Sequence, residues 1–444
     1  MREHLKSALL TTLILLSITL TGTLWYSSPS YEESTRGDYL SPPLGKESKP
    51  LFEITAPHQM FFHDRGNTFR LTTENSLYLD LLSKIHHNRL EQTPVLYRPT
   101  AIDWNQLYNK EEGIELRFIR GVPIETIDAL FDSPLSINEI KVIDRLWITI
   151  DEETNSVQTW FISDDEEQVL IAKSKIQHLD QWFAALRSQE LVEVSPIFTN
   201  DPLRQEKLSE QQVLYPRAFY IPKAEQKQPT RSYPLKKIEI KDMKNWLLDP
   251  AASRFPFESS VVYRYKNRKL TYYEKKNTMH FQDPPATDPS TATLAEELRA
   301  LNSSINKHNG WTGDYHLDKI ERDPNDDTYA YQFRLIAHGQ PIYAPDESAP
   351  GPTTILLKGS PSERLIEYKR SLLYFVNDEK VDSITTMVGG KNLEKLLASQ
   401  KIKTEQVREL FPGYRANITQ SKIELEPVWV IILQNGAEQL LPAS

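Results

Sequence analysis

From Ser7 to Tyr26 the chain reads SALLTTLILLSITLTGTLWY, with no charged residue. A helix rising ~1.5 Å per residue would cover about 30 Å over that length, the hydrocarbon thickness of a bilayer. The pattern therefore predicts a transmembrane helix over 7–26. Arg2 and Lys6 precede it, whereas Glu32 and Glu33 come before the first cation on the other side, Arg36. That bias places residues 1–6 in the cytoplasm and everything after Trp25 outside. A cleaved signal peptide is the rival reading, but Leu24, Trp25 and Tyr26 are bulky where a peptidase needs small residues. Ala8, Thr12, Thr19 and Thr23 are spaced four, seven and four apart and line one stripe of the helix. Small residues there allow a second helix to approach closely in lipid; the same threonines can also bond their own backbone, and the pattern fits both.

Residues 27–50 are polar and rich in Pro and Ser, which predicts a linker. Beyond Phe52 the periodicity alternates between helical and extended. Leu77, Leu81, Leu82 and Ile85 have helical spacing within Glu74 to His87, with Thr73 as N-cap. Gly113 to Ile127 carries a strand, and Arg145 to Ile150 with Gln158 to Ser163 forms a hairpin around Asp151–Asn155. Ile176 to Leu186 is a second amphipathic helix. The stretch from Ser195 to about Pro234, rich in Pro, Gln and charge, marks a boundary. Short strands follow at Ser260 to Lys266 and Lys269 to Glu274, and Asp283-Pro284-Pro285 closes that region. The last region opens with a helix, Leu294 to Lys307. Extended segments then fall at Tyr329–Ala337, Thr353–Leu357 and Leu365–Phe375. Helical stretches at Leu393 to Leu397 and Glu405 to Leu410 lead to a strand at Glu424–Leu433. The fold class is α+β, with three units of mixed antiparallel sheets and helices at 51–194, 195–288 and 289–444. Arg117–Ile124 echoes Arg334–Ile342: each reads as a strand, a Gly turn and Pro-Ile.

Composition narrows the function. A net charge of -9, with 52 Lys and Arg interleaved among 61 Asp and Glu, lacks the clustered basic stretch of a nucleic-acid groove. Zero cysteines exclude disulfides, thiolate metal sites and Cys nucleophiles. Gly389-Gly390-Lys391-Asn392 imitates the end of a phosphate loop but has Asn where Ser or Thr belongs. Ser304 and Lys307 have the serine–lysine spacing of penicillin-interacting enzymes without the companion motifs. His86 and His87 point to different helix faces, and His58 and His63 lie in extended chain with no obvious carboxylate partner. Asp164–Glu167 and Asp323–Asp327 lack the Gly and distal Glu of a calcium loop. No constellation supports catalysis, a metal or a cofactor. A membrane-anchored ligand-binding protein or enzyme acting alone is the competing reading, and it would need a cleft of convergent titratable groups.

Several stretches, in order along the whole chain, carry a family resemblance. They are Lys6-Ser7 with the Leu/Thr run ending at Leu24-Trp25-Tyr26, Gly113–Leu116 with Val122-Pro123, Leu270 to Pro284, and Ile305-Asn-Lys-His-Asn-Gly-Trp311. Together they resemble the YycH family, membrane-anchored regulators of the WalK (YycG) sensor histidine kinase in Gram-positive bacteria. Gly339–Ile342 and Leu425–Trp429 are similar to elements shared with YycI, which makes the last unit YycI-like. The resemblance implies a non-enzymatic regulator in a membrane complex with the kinase and a YycI-like single-pass protein, with contacts through the transmembrane helix. It makes the Ala8/Thr12/Thr19/Thr23 stripe the candidate partner-binding face.

Overall fold

The computed structural model describes residues 48–444, except 88–89, 92, 132–134, 136, 138, 152–153, 155, 200–212, 285–292, 324–327, 346–350, 361–363, 377 and 420; before 48 it describes 6, 12–14, 16–17 and 44–45. Contacts divide the chain into Met1–Leu40 and Ser41–Ser444. Most of the expected 7–26 helix lies outside the described residues. Thr12, Leu13, Ile14, Leu16 and Ser17 are helical and exposed. Among the described residues no helix is long and apolar enough to cross a membrane.

The second unit begins with α1 (Leu51–Ile54), β1 (Gln59–Asp64), β2 (Asn67–Leu71), α2 (Ser76–His86), β3 (Val95–Tyr97), α3 (Ala101–Asn109), β4 (Glu112–Pro123) and α4 (Ile124–Phe131). It continues with β5 (Val142–Asp151), β6 (Ser156–Ser163), β7 (Gln168–Ser174), α5 (Leu179–Arg187), β8 (Val192–Phe198) and β9 (Ala218–Pro222). Their strands make one antiparallel sheet in the order β3-β7-β6-β5-β4-β1-β2-β8-β9. The β5–β6 hairpin pairs Asp151 with Ser156, as its alternation predicts. Both faces of this sheet are covered. Alternation in β4 turns Ile114, Leu116 and Phe118 toward helices α2, α4 and α5. It turns Glu115 and Arg117 the other way, where α3 and the aromatics Phe61, Trp104, Tyr108 and Trp147 pack.

Two local expectations change. Asn75, not Thr73, caps α2: its side chain accepts the Leu77 N–H at 2.9 Å, while Thr73 sits inside the preceding turn closed by Asn75 N–H on Thr72 O. The strand ends at Pro123, and Ile124–Phe131 is the helix α4. Its Ile124, Thr126, Ile127, Ala129, Leu130 and Phe131 are all buried, and its polar face is only Glu125 and Asp128, too narrow a stripe to set the helix apart from the strand before it.

The remaining elements are β10 (Gln226–Lys237), α6 (Ile240–Leu247), β11 (Ser253–Pro256), β12 (Ser260–Tyr265), β13 (Arg268–Tyr273), β14 (Thr278–Gln282), α7 (Leu294–Asn306), β15 (Asp314–Arg322) and β16 (Tyr329–Ala337). Then come β17 (Gln340–Tyr343), β18 (Thr354–Ser360), β19 (Arg364–Ser371), β20 (Leu373–Phe375), β21 (Lys380–Met387), α8 (Gly390–Ser399), β22 (Val407–Ile418), β23 (Lys422–Leu433) and β24 (Glu438–Pro442). A second sheet runs β11-β12-β13-β14-β19-β18-β16-β17-β22-β23-β10-β20, with β15 on β16, β21 on β10 and β24 on β23. Its pairs are antiparallel except β17 with β22. Helices α6 and α7 bury Met243, Leu247, Leu298, Leu301 and Ile305 against Leu270, Phe281, Phe333 and Leu357. The capping box of α7 has Thr293 Oγ1 accepting the Glu296 N–H and the Glu296 carboxylate accepting the Thr293 N–H.

The helix expected over Glu405 to Leu410 is a single tight turn, Thr404–Gln406, that runs directly into β22. Val407 and Leu410 pack on one side of this strand against α8, and Phe411 on the other against Tyr343 and Ile119. A strand buried on both faces mimics helical spacing.

Candidate functional site

The most concentrated chemistry lies where the first sheet meets β22 and β24. Glu115, at the centre of β4, has no solvent exposure. It accepts Arg117 Nη1 at 2.8 Å and Tyr220 OH at 2.5 Å, with Arg145 Nη1 at 3.6 Å and His63 Nε2 at 3.1 Å. Burial alone would raise its pKa, but Arg117, His63 and Arg145 outweigh it and hold the carboxyl well below the usual range. Burial lowers the His63 pKa, with Glu115 opposing. The neutral ring satisfies both neighbours by donating Nε2–H to Glu115 and accepting the Thr68 hydroxyl, 3.2 Å away, at Nδ1.

Arg117 carries the network across to the second sheet. Its Nε donates to Glu409 Oε1 on β22 at 3.1 Å and its Nη2 to Ala218 O at 2.7 Å; Gln59 Nε2 donates to the other Glu409 oxygen at 3.1 Å. Burial opposes the charge on Arg117, yet Glu409 and Glu115 keep its pKa well above the ordinary value. Beside this, Arg145 donates to Tyr108 OH at 3.0 Å and to Asp164 at 2.5 Å. Arg408 pairs with Asp144 and with Asp165 at 2.9 Å. Burial and neighbouring Asp164 push Asp144 up to about 6, with Arg408 opposing. A cavity of about 10 Å³ lies among Arg117, Asp164, Arg217 and Arg408. That is room for about one water, not for a substrate.

A second cluster continues the seam. Arg334 on β16 donates Nε to Asp318 at 3.0 Å and Nη1 to Ile342 O at 3.1 Å, and lies 3.9 Å above the Tyr343 ring. His58 Nε2 is 3.8 Å from Asp318, and burial pushes its pKa down to about 4 against the pull of that carboxylate. Arg120 pairs with Glu438 and donates to Gly436 O at 3.0 Å. Further along, the His338 ring pairs with Glu74 on one nitrogen and with Glu379, at 2.8 Å, on the other. The sequence echo falls on this seam. Arg117 and Arg334 each centre a cluster, and Gly121 and Gly339 share a φ of +68° that strains any L side chain. A Cβ on Gly339 would also come within 2.7 Å of Thr72.

Chemically, these guanidiniums and carboxylates neutralise one another and clamp two sheets. The positions of the residues singled out by sequence follow the same division. Thr12 is helical and exposed, whereas Ala8, Thr19 and Thr23 lie outside the described residues. His63 does have a carboxylate partner, contrary to expectation, because Glu115 approaches from the neighbouring strand β4 rather than along the chain, whereas His58 lies near Asp318 without a hydrogen bond to it. Ser304 Oγ donates to Ala300 O within its own helix at 2.9 Å. Gly389 opens α8, where a Cβ would stand 2.2 Å from Ala224 O, so close backbone packing explains it. Asp164 is taken by Arg145. Among the described residues no three His, Asp or Glu side chains are arranged to hold a metal ion. Sequence reading missed Glu115, Arg145 and Glu409. The available signal was a charge interrupting an apolar strand, as in IELRFI, IDRLWITI and VRELF.

Residues 3–190 match the YycH protein N-terminal domain and residues 216–440 the YycH protein C-terminal domain. The Arg117–Glu409 pair therefore joins the two matched regions. Among curated proteins, the two-component system WalR/WalK regulatory protein YycH of Bacillus subtilis (strain 168) is 20% identical over 453 residues, covering 97% of this chain and 94% of the relative. The crystal structure of YycH from Bacillus subtilis superposes with a TM-score of 0.67 at 17% identity, covering 90% of this chain and 99% of that one.

Proposed function

This chain belongs to the YycH family, and from that premise we propose that it regulates a WalK-type sensor histidine kinase without catalysing a reaction itself. The observation that carries this is the match along nearly the whole chain to a relative named as a WalR/WalK regulatory protein. The protein is held in the cell membrane by a helix over 7–26, with residues 1–6 cytoplasmic and the mass after 27 extracytoplasmic. The charge bias around Ser7–Tyr26 and the exposure of Leu13, Ile14 and Leu16, each more than half exposed, support that placement. Its working surface is the stripe Ala8, Thr12, Thr19 and Thr23, which packs against the kinase and a YycI-like single-pass partner. Binding alone does not regulate; the helix must favour one signalling state of the kinase over the other. The clamped outer mass modulates that preference.

Replacing Ala8, Thr12, Thr19 and Thr23 together by Leu preserves insertion while filling the groove between helices. Co-purification of the kinase and the partner from membranes should drop severalfold. Undiminished co-purification would remove the stripe from the account.

A further inference from the structure

Residues 254–276 hold seven Lys and Arg against two Glu, in a chain whose net charge is -9. They form the β11–β12–β13 end of the second sheet, where β11 is the edge strand. The register aligns Phe255, Val262 and Thr271 in one row and places Ser260 opposite Tyr273 in the next. Alternation puts Arg264 and Lys269, which are paired in the register, on that same face. The outer part of this face is open, although Thr271 at its inner end is buried: Phe257 is 62% exposed, Phe255 47% and Tyr273 40%. Among the described residues, Lys269, Lys275 and Lys276 have no carboxylate within ion-pair distance, and all three are exposed.

The opposite face is core. Leu270 and Tyr272 pack against Met243 and Leu247 of α6. The neighbouring Trp246 ring lies 5.2 Å from His308. Leu44 donates its N–H to His308 O at 3.0 Å, and a Cβ on Gly45 would stand 2.5 Å from Asn309 O. Leu44 and Gly45 thus pack one helix behind the aromatic and basic face.

We propose that this face docks on an anionic lipid surface, with Phe255 and Phe257 entering the headgroup layer and Arg264, Lys269, Lys275 and Lys276 meeting lipid phosphates. Exposed aromatic rings beside unpaired cations match the interfacial chemistry of a bilayer, where rings settle at headgroup depth and basic side chains add electrostatic attraction. A soluble anionic polymer would satisfy the cations and leave the phenylalanines in water.

The absence of cysteine makes a single-site label clean. Full chain carrying Phe257→Cys or, as a second position, Ser259→Cys is labelled with an environment-sensitive fluorophore. It is then reconstituted in vesicles of phosphatidylcholine, with and without phosphatidylglycerol. The expected result is a blue shift with quenching by brominated lipid in the anionic vesicles, and water-like emission in the neutral ones. Lys269→Glu, Lys275→Glu and Lys276→Glu together should weaken that contact at least about tenfold. A label at Ile384→Cys, exposed on β21, should stay water-like throughout. Water-like emission at 257 and 259 in anionic vesicles would overturn the proposal, as would equal insertion in neutral ones. So would protection by soluble polyphosphate without lipid quenching. Insertion of the 7–26 helix is read separately by protease protection, so a failed dock leaves the proposed membrane anchor standing.

Discussion

The seam around Glu115 and the face around Phe257 use the same residue types to opposite ends. At the seam, Arg117 and Arg145 are almost without exposure and every charge has a partner within reach. On the hairpin face, Lys269, Lys275 and Lys276 are exposed and, among the described residues, make no ion pair with a carboxylate. Burial decides the difference. A buried guanidinium loses its hydration and must be neutralised locally, so it serves architecture. An exposed ammonium keeps its hydration and remains available to an anionic surface. Charge on this protein is therefore read only together with depth.

Three perturbations sharpen that contrast. The largest effect belongs to Arg117→Met, which strands Glu115 and Glu409 without their shared cation. Urea unfolding of the full chain in detergent, followed by tryptophan fluorescence, should show a loss of about 3–5 kcal/mol. A loss below about 1 kcal/mol would mean the seam is not the clamp between the two matched regions.

Glu297 on α7 gives an intermediate effect with a pH signature. Burial raises its pKa from 4.5 to about 7, with Tyr331 and the Gly359 backbone opposing. A carboxyl raised in the folded state contributes stability that is complete below its unfolded pKa and disappears as pH rises through the folded value. Wild type should therefore lose up to about 3 kcal/mol relative to Glu297→Gln between about pH 5 and about pH 8. A parallel pH dependence of the two proteins would show that Glu297 is ionised at no cost.

The smallest effect on stability belongs to the triple Lys269→Glu, Lys275→Glu, Lys276→Glu change. The same unfolding assay should place it within about 0.5 kcal/mol of wild type, even though it removes the vesicle contact. A large destabilisation would show that these lysines are tied into the fold after all.

Legibility in the sequence followed the strength of each local pattern. Elements with a clear local signal were readable: α7 begins at Leu294 as its stripe predicts, β16 spans Tyr329–Ala337, and the β5–β6 hairpin turns at its polar loop where expected. Two buried elements with misleading local patterns were not. The α4 helix has only Glu125 and Asp128 as a polar face, and β22 shows helical spacing because Val407 and Phe411 serve different cores. The site was the least legible part. Arg117 and Glu409 are 292 positions apart, and local pattern says nothing of which sheets will meet. Only the echo between Arg117–Ile124 and Arg334–Ile342 pointed at the seam, without naming a partner for either arginine.

We propose that regulation runs through the membrane helix. The direct measurement is transcription of a gene controlled by the kinase, in cells whose only copy carries Leu at positions 8, 12, 19 and 23. Transcription should move most of the way to the level of cells lacking the protein, with the outer mass still exported and folded. Transcription unchanged from wild type, with the variant inserted at normal abundance, would contradict it.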